Sequence, residues 1–558
     1  MRLTTPRPSC ARNRRRAAPL ARLAPAFAGL LMAPCLHAQE SLPPALSDLA
    51  PPEAPEPGRP LSFTPDLPAD TPADIAQGAR QGQSVTSLGE ALRYAYWTSP
   101  AVLAQRSGAR SSDWGVAQAR SAYGPHLDYS LTYGWTRDNY EIAPANFLKR
   151  HGWTSTATAI LTQPLFTFGR TLASERAARA QAAYQRAVLR STEQQALFDA
   201  LDAYVSLRRT RTGVGIAADN LAALTRELTD NRARLKAHEV TATDIQQVET
   251  RVELGRVQLL TAQRDAGTAE ATFLRMVGTR PGELTTPPAL QLPVSSLEEA
   301  YVFAEEHNPV VLAAQERERA SRAATEGAKA DWRPRIDLQG SAALMPYSNG
   351  FSNYSDSLRQ TELRGVLTIS GPLFDSGERH ARIRAAQAAN DADWRLVDAS
   401  LRENRAALAT AWNDWQAQSE AIDRLQSAVD SAQKAYDGAV LQERAGLFTT
   451  LDVLQLAREL LQTRSAYNDG IAGAYLAKAQ VLAALGVMDS AWLLPDAPRH
   501  DAEQEAARIA DNGDVPLLTS ALHTLDGVAE GRGGPRPARD PAHATTMPAA
   551  RIGVDVQP

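Results

Sequence analysis

The sequence predicts an α+β protein built from one domain-sized unit used twice, and three observations predict it. Short motifs recur at a fixed distance. Ser87-Leu88-Gly89-Glu90-Ala91 returns as Ser296-Leu297-Glu298-Glu299-Ala300, 209 residues later, and Pro164-Leu165-Phe166 with Gly169 returns as Pro372-Leu373-Phe374 with Gly377, 208 residues later. Solenoid repeats run roughly 20–50 residues, so a period this long marks a duplicated domain. Each half also carries two segments that alternate with period two, which strands with unlike faces require. Finally, each half has a proline-free run of 68 residues, 170–237 and 378–445. As helix, such a run is about 100 Å long at 1.5 Å per residue.

The elements follow in order. Arg12, Arg14, Arg15 and Arg16 precede an apolar stretch near Leu23–Leu36, with small Ala38 behind it. This order reads as a secretory signal peptide over 1–38. The apolar stretch is too short and too broken by proline to cross a bilayer core of about 30 Å. Met32-Ala33-Pro34-Cys35 offers a poor lipoprotein site, so lipidation of Cys35 stays open. Residues 39–84 form a Pro-rich leader that cannot build long helices or central strands. The first repeat, 85–290, opens with a helix over about 87–123 that ends near Pro125. A strand pair within 126–166 follows. Leu127, Tyr129, Leu131, Tyr133 and Trp135 share one face, and residues 141–152 between the strands look turn-like. The second repeat, 291–490, copies the plan: a helix over 296–331, a strand pair within 335–374, and turn-like residues at 349–358. A long helical hairpin closes each repeat. In its return helix Ile245, Val248, Val252, Gly255 and Leu259 alternate spacings of three and four, as do Val453, Leu456, Leu460, Thr463 and Tyr467. That is a coiled-coil seam rich in small residues. Residues 491–558, rich in Pro, Gly, Ala and Asp, read as a disordered tail.

Composition excludes several classes. Without residues 1–38 the chain keeps 52 basic and 63 acidic residues, a net charge near −11. Nucleic-acid binding is therefore not expected. Both cysteines, Cys10 and Cys35, fall in the expected signal, leaving no disulfide and no cysteine metal site. His126, His151, His238, His307, His380 and His500 are scattered without ligand spacing. Gly213-Val214-Gly215 imitates a dinucleotide fingerprint, but it follows a helical run and not a strand. The reading is neither an enzyme nor a cofactor or metal protein.

Four strands per chain pose a physical problem. In water they would form a small sheet between very long hairpins. In lipid their edges cannot stay open, because lipid offers no hydrogen bonds. Spanning strands need about 9–11 residues, which these segments supply. Four strands are too few to close a barrel, since barrels start at about eight, so other copies of the chain must close it. A periplasmic coiled-coil scaffold or adaptor is the alternative; it would lack duplicated strand pairs.

The chain resembles the TolC family of outer-membrane efflux proteins. The resemblance rests on Ala95–Pro100 and Glu305–Pro309, on 163–169 and 371–377 around the two Pro-Leu-Phe motifs, and on 241–246 and 446–454. It covers about 85–490. It implies a homotrimer with a shared twelve-stranded barrel in the outer membrane, continued by a long α-helical coiled-coil barrel in the periplasm. It implies an exit duct for a tripartite efflux or type I secretion system, partnered by a periplasmic adaptor and by an inner-membrane ABC or proton-driven pump. Cargo stays undecided, with a slight tilt toward protein secretion. In this family the turns after the long helices form the periplasmic entrance, here around His238–Asp244 and Glu443–Asp452. Asp452 matches an aspartate that points into the entrance, and a three-fold axis would gather three copies; the alternative is a helix-start acid. Gln455 stands where the family has a second acid. Thr243 and Asp244 match residues that tether neighbouring helices, although Asp244 also suits a helix cap. Their family partners, an arginine and a tyrosine, fall on Phe448 and Glu443, leaving Arg444 as the candidate cation.

Overall fold

The computed structural model describes residues 67, 71–81, 83–143, 146–348, 357–494, 498–510, 512, 515 and 518–530. The expected signal peptide and the leader up to residue 66 lie outside them. Ahead of the first repeat comes α1 (Ala73–Gln81). The first repeat then runs α2 (Leu88–Thr98), α3 (Pro100–Ser121), β1 (His126–Ala143), β2 (Asn146–Phe166), α4 (Arg170–Lys236) and α5 (Ala242–Val277). The second runs α6 (Leu297–His307), α7 (Pro309–Ala330), β3 (Arg335–Ser348), β4 (Ser357–Ser370), α8 (Glu378–Arg444) and α9 (Thr450–Leu485). Three short helices follow: α10 (Ser490–Leu493), α11 (Ala502–Ala510) and α12 (Leu518–Glu530).

The opening helix of each repeat, expected to be continuous, is two helices. Proline is the reason. It forces the preceding residue out of the helical region, and Ser99 (ψ 120°) and Asn308 (ψ 120°) are both extended. Pro100 and Pro309 then start the next helix, where a missing N–H costs nothing. The Asn308 side chain accepts from the N–H of Val310 at 2.8 Å.

The strands form one antiparallel sheet in the order β1-β2-β3-β4, so the repeats join at β2–β3. The first hairpin is longer than expected: residues 141–143 and 146–152 pair as strand. The second is shorter, since β4 stops at Ser370 and Leu373 and Phe374 stand exposed beyond it. Register lines up an apolar row beside a mainly polar one. Tyr129, Ala159, Ala342 and Leu363 are opposite one another across all four strands, as are Asp128, Ile160, Ser341 and Arg364. The first row belongs to a face where Leu127, Tyr129, Leu131, Tyr133, Leu363 and Ile369 are each more than two-thirds exposed, for example Tyr129 at 82%.

Each sheet meets its long helix through a left-handed elbow. Phe168 (φ 52°) and Gly169 (φ 86°) make the first; Ser376 (φ 53°) and Gly377 (φ 91°) make the second. Glycine takes positive φ without the Cβ clash other residues suffer. In the second elbow Asp375 accepts from the N–H groups of Gly377 and Arg379, both at 3.1 Å. The matching residue of the first elbow is Thr167, which has no carboxylate. Its N–H and hydroxyl instead donate to Asp526 of α12, at 3.1 and 2.5 Å.

That contact corrects the reading of the tail as disordered as far as Glu530; residues 531–558 lie outside the described residues. Within 491–558, α11 and α12 dock on the first repeat. Arg110 of α3 pairs with Glu505 at 2.6 Å, and Ile509 and Leu522 are buried. Both helices are short and lie between Pro, Gly and Asp clusters, so no long periodic stripe announces them.

The main core is a belt at mid-helix. Trp97, Leu197, Leu201, Tyr204, Phe273, Leu408, Leu482 and Leu485 are nearly inaccessible there. α2 and α6 pack against the long helices at this level. The Tyr204 hydroxyl donates to the carbonyls of Thr86 at 3.0 Å and Thr285 at 2.8 Å, so its polar tip is satisfied inside the belt. Along the hairpins the seam is buried or half-buried at Ile245, Val248, Val252, Gly255 and Leu259, and at Val453, Leu456, Leu460, Thr463 and Tyr467. A Cβ on Gly255 would meet Leu224 Cδ1 at 3.2 Å, so glycine there permits close approach of α4 and α5.

Candidate functional site

The two hairpin tips are built alike. Each long helix ends in a residue with positive φ, His238 (φ 62°) and Gly446 (φ 73°), which lie at equivalent positions. Each return helix starts with a capping box. Thr241 accepts from the Asp244 N–H and Asp244 accepts from the Thr241 N–H at 2.9 Å. Thr449 and Asp452 repeat this, with the Thr449 N–H 3.0 Å from the Asp452 carboxylate and its hydroxyl at 2.6 Å. Such reciprocal bonds satisfy N–H groups that the helix leaves unpaired.

These boxes place most of the residues singled out from the sequence. Asp452 and Asp244 are third residues of their helices and hold the caps. The Thr449 hydrogen bonds keep the Asp452 carboxyl below its ordinary value. Within one chain that direction is opposite to the rise that crowded like charges would cause. Thr243 and Gln455 are exposed, and Phe448 is 40% exposed. Arg444 does not reach Thr243 or Asp244 in this chain; its guanidinium lies 3.8 Å from Asp230.

A second cluster, not expected from the sequence, lies just behind the tips. Glu443 is 3% exposed and Asn231 is fully buried. Arg234 pairs with Glu443 at 2.9 Å, and the Thr450 hydroxyl donates to Glu443 at 2.9 Å. Asn231 Nδ2 donates to Glu227 Oε1 at 2.5 Å, and Asn231 Oδ1 lies 3.2 Å from the Thr450 hydroxyl. The cluster joins α4 of the first hairpin to α8 and α9 of the second. Burial, then the neighbouring Glu443 charge, pushes the Glu227 carboxyl up to about 7. Beneath it Leu224, Val248, Val252 and Leu454 form an apolar plug from α4, α5 and α9. Beside it a groove of about 610 Å³ is lined by Arg226, Glu227, Asp230, Tyr436, Arg444 and Arg464.

A sequence signal for this cluster existed. Leu221, Leu224 and Leu228 continue the α4 seam, and the next seam position is Asn231; on α8, Val429, Ala432 and Tyr436 lead to Ala439 and then Glu443. A polar residue in an apolar seam fixes register and partner. The equivalent residues of the other repeat are Ala439 for Asn231 and Leu235 for Glu443, so the polar pair arose where the copies differ.

Elsewhere, Gly213 and Gly215 lie inside α4, away from any strand-to-helix loop. Among the described residues no group of three or more His, Cys, Asp or Glu side chains is placed to hold a metal, and no helix is long and apolar enough to cross a membrane.

Comparison with known proteins adds four findings. The family model for outer membrane efflux proteins matches residues 92–279 and 300–487, one match per repeat. The outer membrane efflux protein BepC of Brucella suis biovar 1 is 29% identical over 434 residues, covering 77% of this chain and 92% of that protein. The alkaline protease secretion protein AprF of Pseudomonas aeruginosa is 24% identical over 421 residues, covering 73% and 86%. Among solved structures, the outer membrane protein VceC of Vibrio cholerae superposes with a TM-score of 0.61 at 19% identity, over 72% of this chain and 96% of that one.

Proposed function

Because this chain belongs to the outer membrane efflux protein family, we propose that it is the exit duct of a tripartite efflux or type I secretion system. It is a transport protein of the outer membrane with a periplasmic extension, and not an enzyme. The finer reading goes further. Three chains contribute twelve strands to one barrel, and their long hairpins continue it as a helical tube. A periplasmic adaptor and an inner-membrane ABC or proton-driven pump complete the path. Residues 1–38 are removed as a signal peptide, and 85–290 and 291–490 are the two repeats of the duct. Secretion of a protein cargo is favoured, as the name of AprF suggests.

The observation that carries this reading is the sheet. It has one apolar face turned outward, and β1 and β4 each have an edge with no strand partner among the described residues. Water penalises such a face and lipid penalises such edges. Closing the sheet with two further copies while facing lipid removes both costs. The hairpin tips then meet at the periplasmic entrance, where Asp452, Thr243, Asp244, Gln455, Arg444 and Phe448 face the passage or its neighbours.

The test combines fractionation, cross-linking and planar-bilayer recording. The duct sediments with outer membrane, needs detergent for release, cross-links to a trimer and forms ion-conducting channels. Release into plain buffer as a monomer would overturn the reading in favour of a periplasmic scaffold.

A further inference from the structure

The cluster behind the tips brings a buried carboxylate, Glu443, beside a half-buried one, Glu227, at the edge of a groove. Glu443 is 3% exposed and already engages Arg234 and Thr450. Glu227 on α4 is tied into the same cluster: Asn231 Nδ2 donates to Glu227 Oε1 at 2.5 Å, Asn231 Oδ1 lies 3.2 Å from the Thr450 hydroxyl that reaches Glu443, and the Glu443 charge adjoins Glu227. We propose that Glu227 and Glu443 form a proton-operated latch: one proton shared between them holds the two hairpin tips of a chain together, and its loss to water lets the tips part.

The surroundings support a latch that titrates. From α4, Arg226, Asp230, Asn231 and Arg234 face Glu227. From α8 come Glu443, Tyr436, Asp437 and Arg444, and from α9 Thr450 and Arg464. From α5 the packed side chains are apolar, Val248 and Val252. Arg234 neutralises one of the two carboxylates and is shared with Glu239 at 3.4 Å. Beside Glu227 the groove carries Arg226, Arg444 and Arg464. Glu227 lines the groove, so its proton has a route to solvent.

The sign follows from linkage. In the closed latch Glu227 holds its proton up to about pH 7, against an ordinary carboxyl value of 4.5 once the tips separate. Closing therefore takes up a proton between those two values. The closed form is favoured at the acid end and loses that advantage as pH rises through about 7. Within the window each pH unit shifts the closed-to-open ratio by up to about tenfold.

The latch rests on the cluster alone; that its release widens a passage rests on the exit-duct reading. The experiment separates the two. Spin labels are placed at Lys236→Cys and Arg458→Cys, exposed positions on α4 and α9, in the full mature protein. The only native cysteines, Cys10 and Cys35, lie in the segment read as a signal peptide. Distances are measured at pH 5.5 and 7.5, and channel opening is recorded in bilayers at the same values. The expected result is a single short distance at pH 5.5 and a population of longer distances at least tenfold larger at pH 7.5. Glu227→Gln, which keeps a donor at every pH, holds the short distance throughout, and Glu443→Gln likewise flattens the response. If the distances respond as expected but no channel forms, the latch stands and the duct reading falls. If channels form and the distances ignore pH, or Glu227→Gln responds like the parent, the latch is overturned.

Discussion

Asp452 has two possible employers. In one chain it completes the cap of α9 through Thr449, and that bond holds its carboxyl low. Its capping contribution is therefore present above the ordinary carboxylate value of 3.8 and is lost as pH falls below it. In a trimer three copies would also charge the entrance. Asp452→Ala removes both, whereas Thr449→Ala weakens the cap at a cost of about 1 kcal/mol and keeps the charge. Block of single-channel current by multivalent cations is thus expected to weaken several-fold in Asp452→Ala and to persist in Thr449→Ala. Equal block in both variants would remove Asp452 from the passage. The capping role was legible in the sequence as an acid three residues after a threonine. The Glu227–Glu443 pair was not, because a polar residue in a seam reads as the end of the seam until its partner helix is seen.

At the scale of elements, the tips are held by one apolar plug and one polar cluster. Leu454 belongs to α9 but packs with Leu224, Val248 and Val252 of the first hairpin, at 2% exposure. Leu454→Ala leaves a cavity between hairpins, and such truncations cost about 2–5 kcal/mol. The expected result is faster proteolysis at the tips and a lower melting temperature for the detergent-solubilised protein, with the strand content of its circular dichroism unchanged. Period-two alternation revealed the strands and their faces. It did not reveal their length, since Glu141, Ala143 and residues 146–152, in a stretch of turn-forming types, pair as an outer extension of the hairpin. The turns that stop the long helices hold no proline and turn instead at His238 and Gly446, residues of positive φ. Proline acts at Ser99-Pro100 and Asn308-Pro309, where one residue of extended backbone divides each opening helix.

For the whole molecule the decisive asymmetry is between the faces of the sheet. Rows such as Leu131, Ala157 and Leu344 lie on one face, while Ser130, Thr158 and Glu362 lie on the other. If the first face meets lipid, Leu131→Arg places a charge there at a cost of about 2–4 kcal/mol near mid-bilayer. Ser130→Arg, one residue away, faces the lumen and is tolerated. The measurement is the amount of trimer assembled in outer membrane; equal yields from the two variants would contradict the assigned faces. Duplication and fold class were legible because the repeats keep register to one residue over some 200. Closure by further copies followed only from the strand count, since four strands are too few for a barrel.

The elbow at Thr167 has a consequence for the order in which the protein can be finished. In the proposed ring of three chains there would be six elbows between strands and tube. Three, at Asp375, are complete as soon as their own neighbourhood is made. The other three borrow their carboxylate from Asp526, 359 residues downstream. In the proposed ring, alternate joints would lack the Asp526 carboxylate until the far end of the chain has folded back. Asp526 thus couples the first elbow to a segment 359 residues downstream.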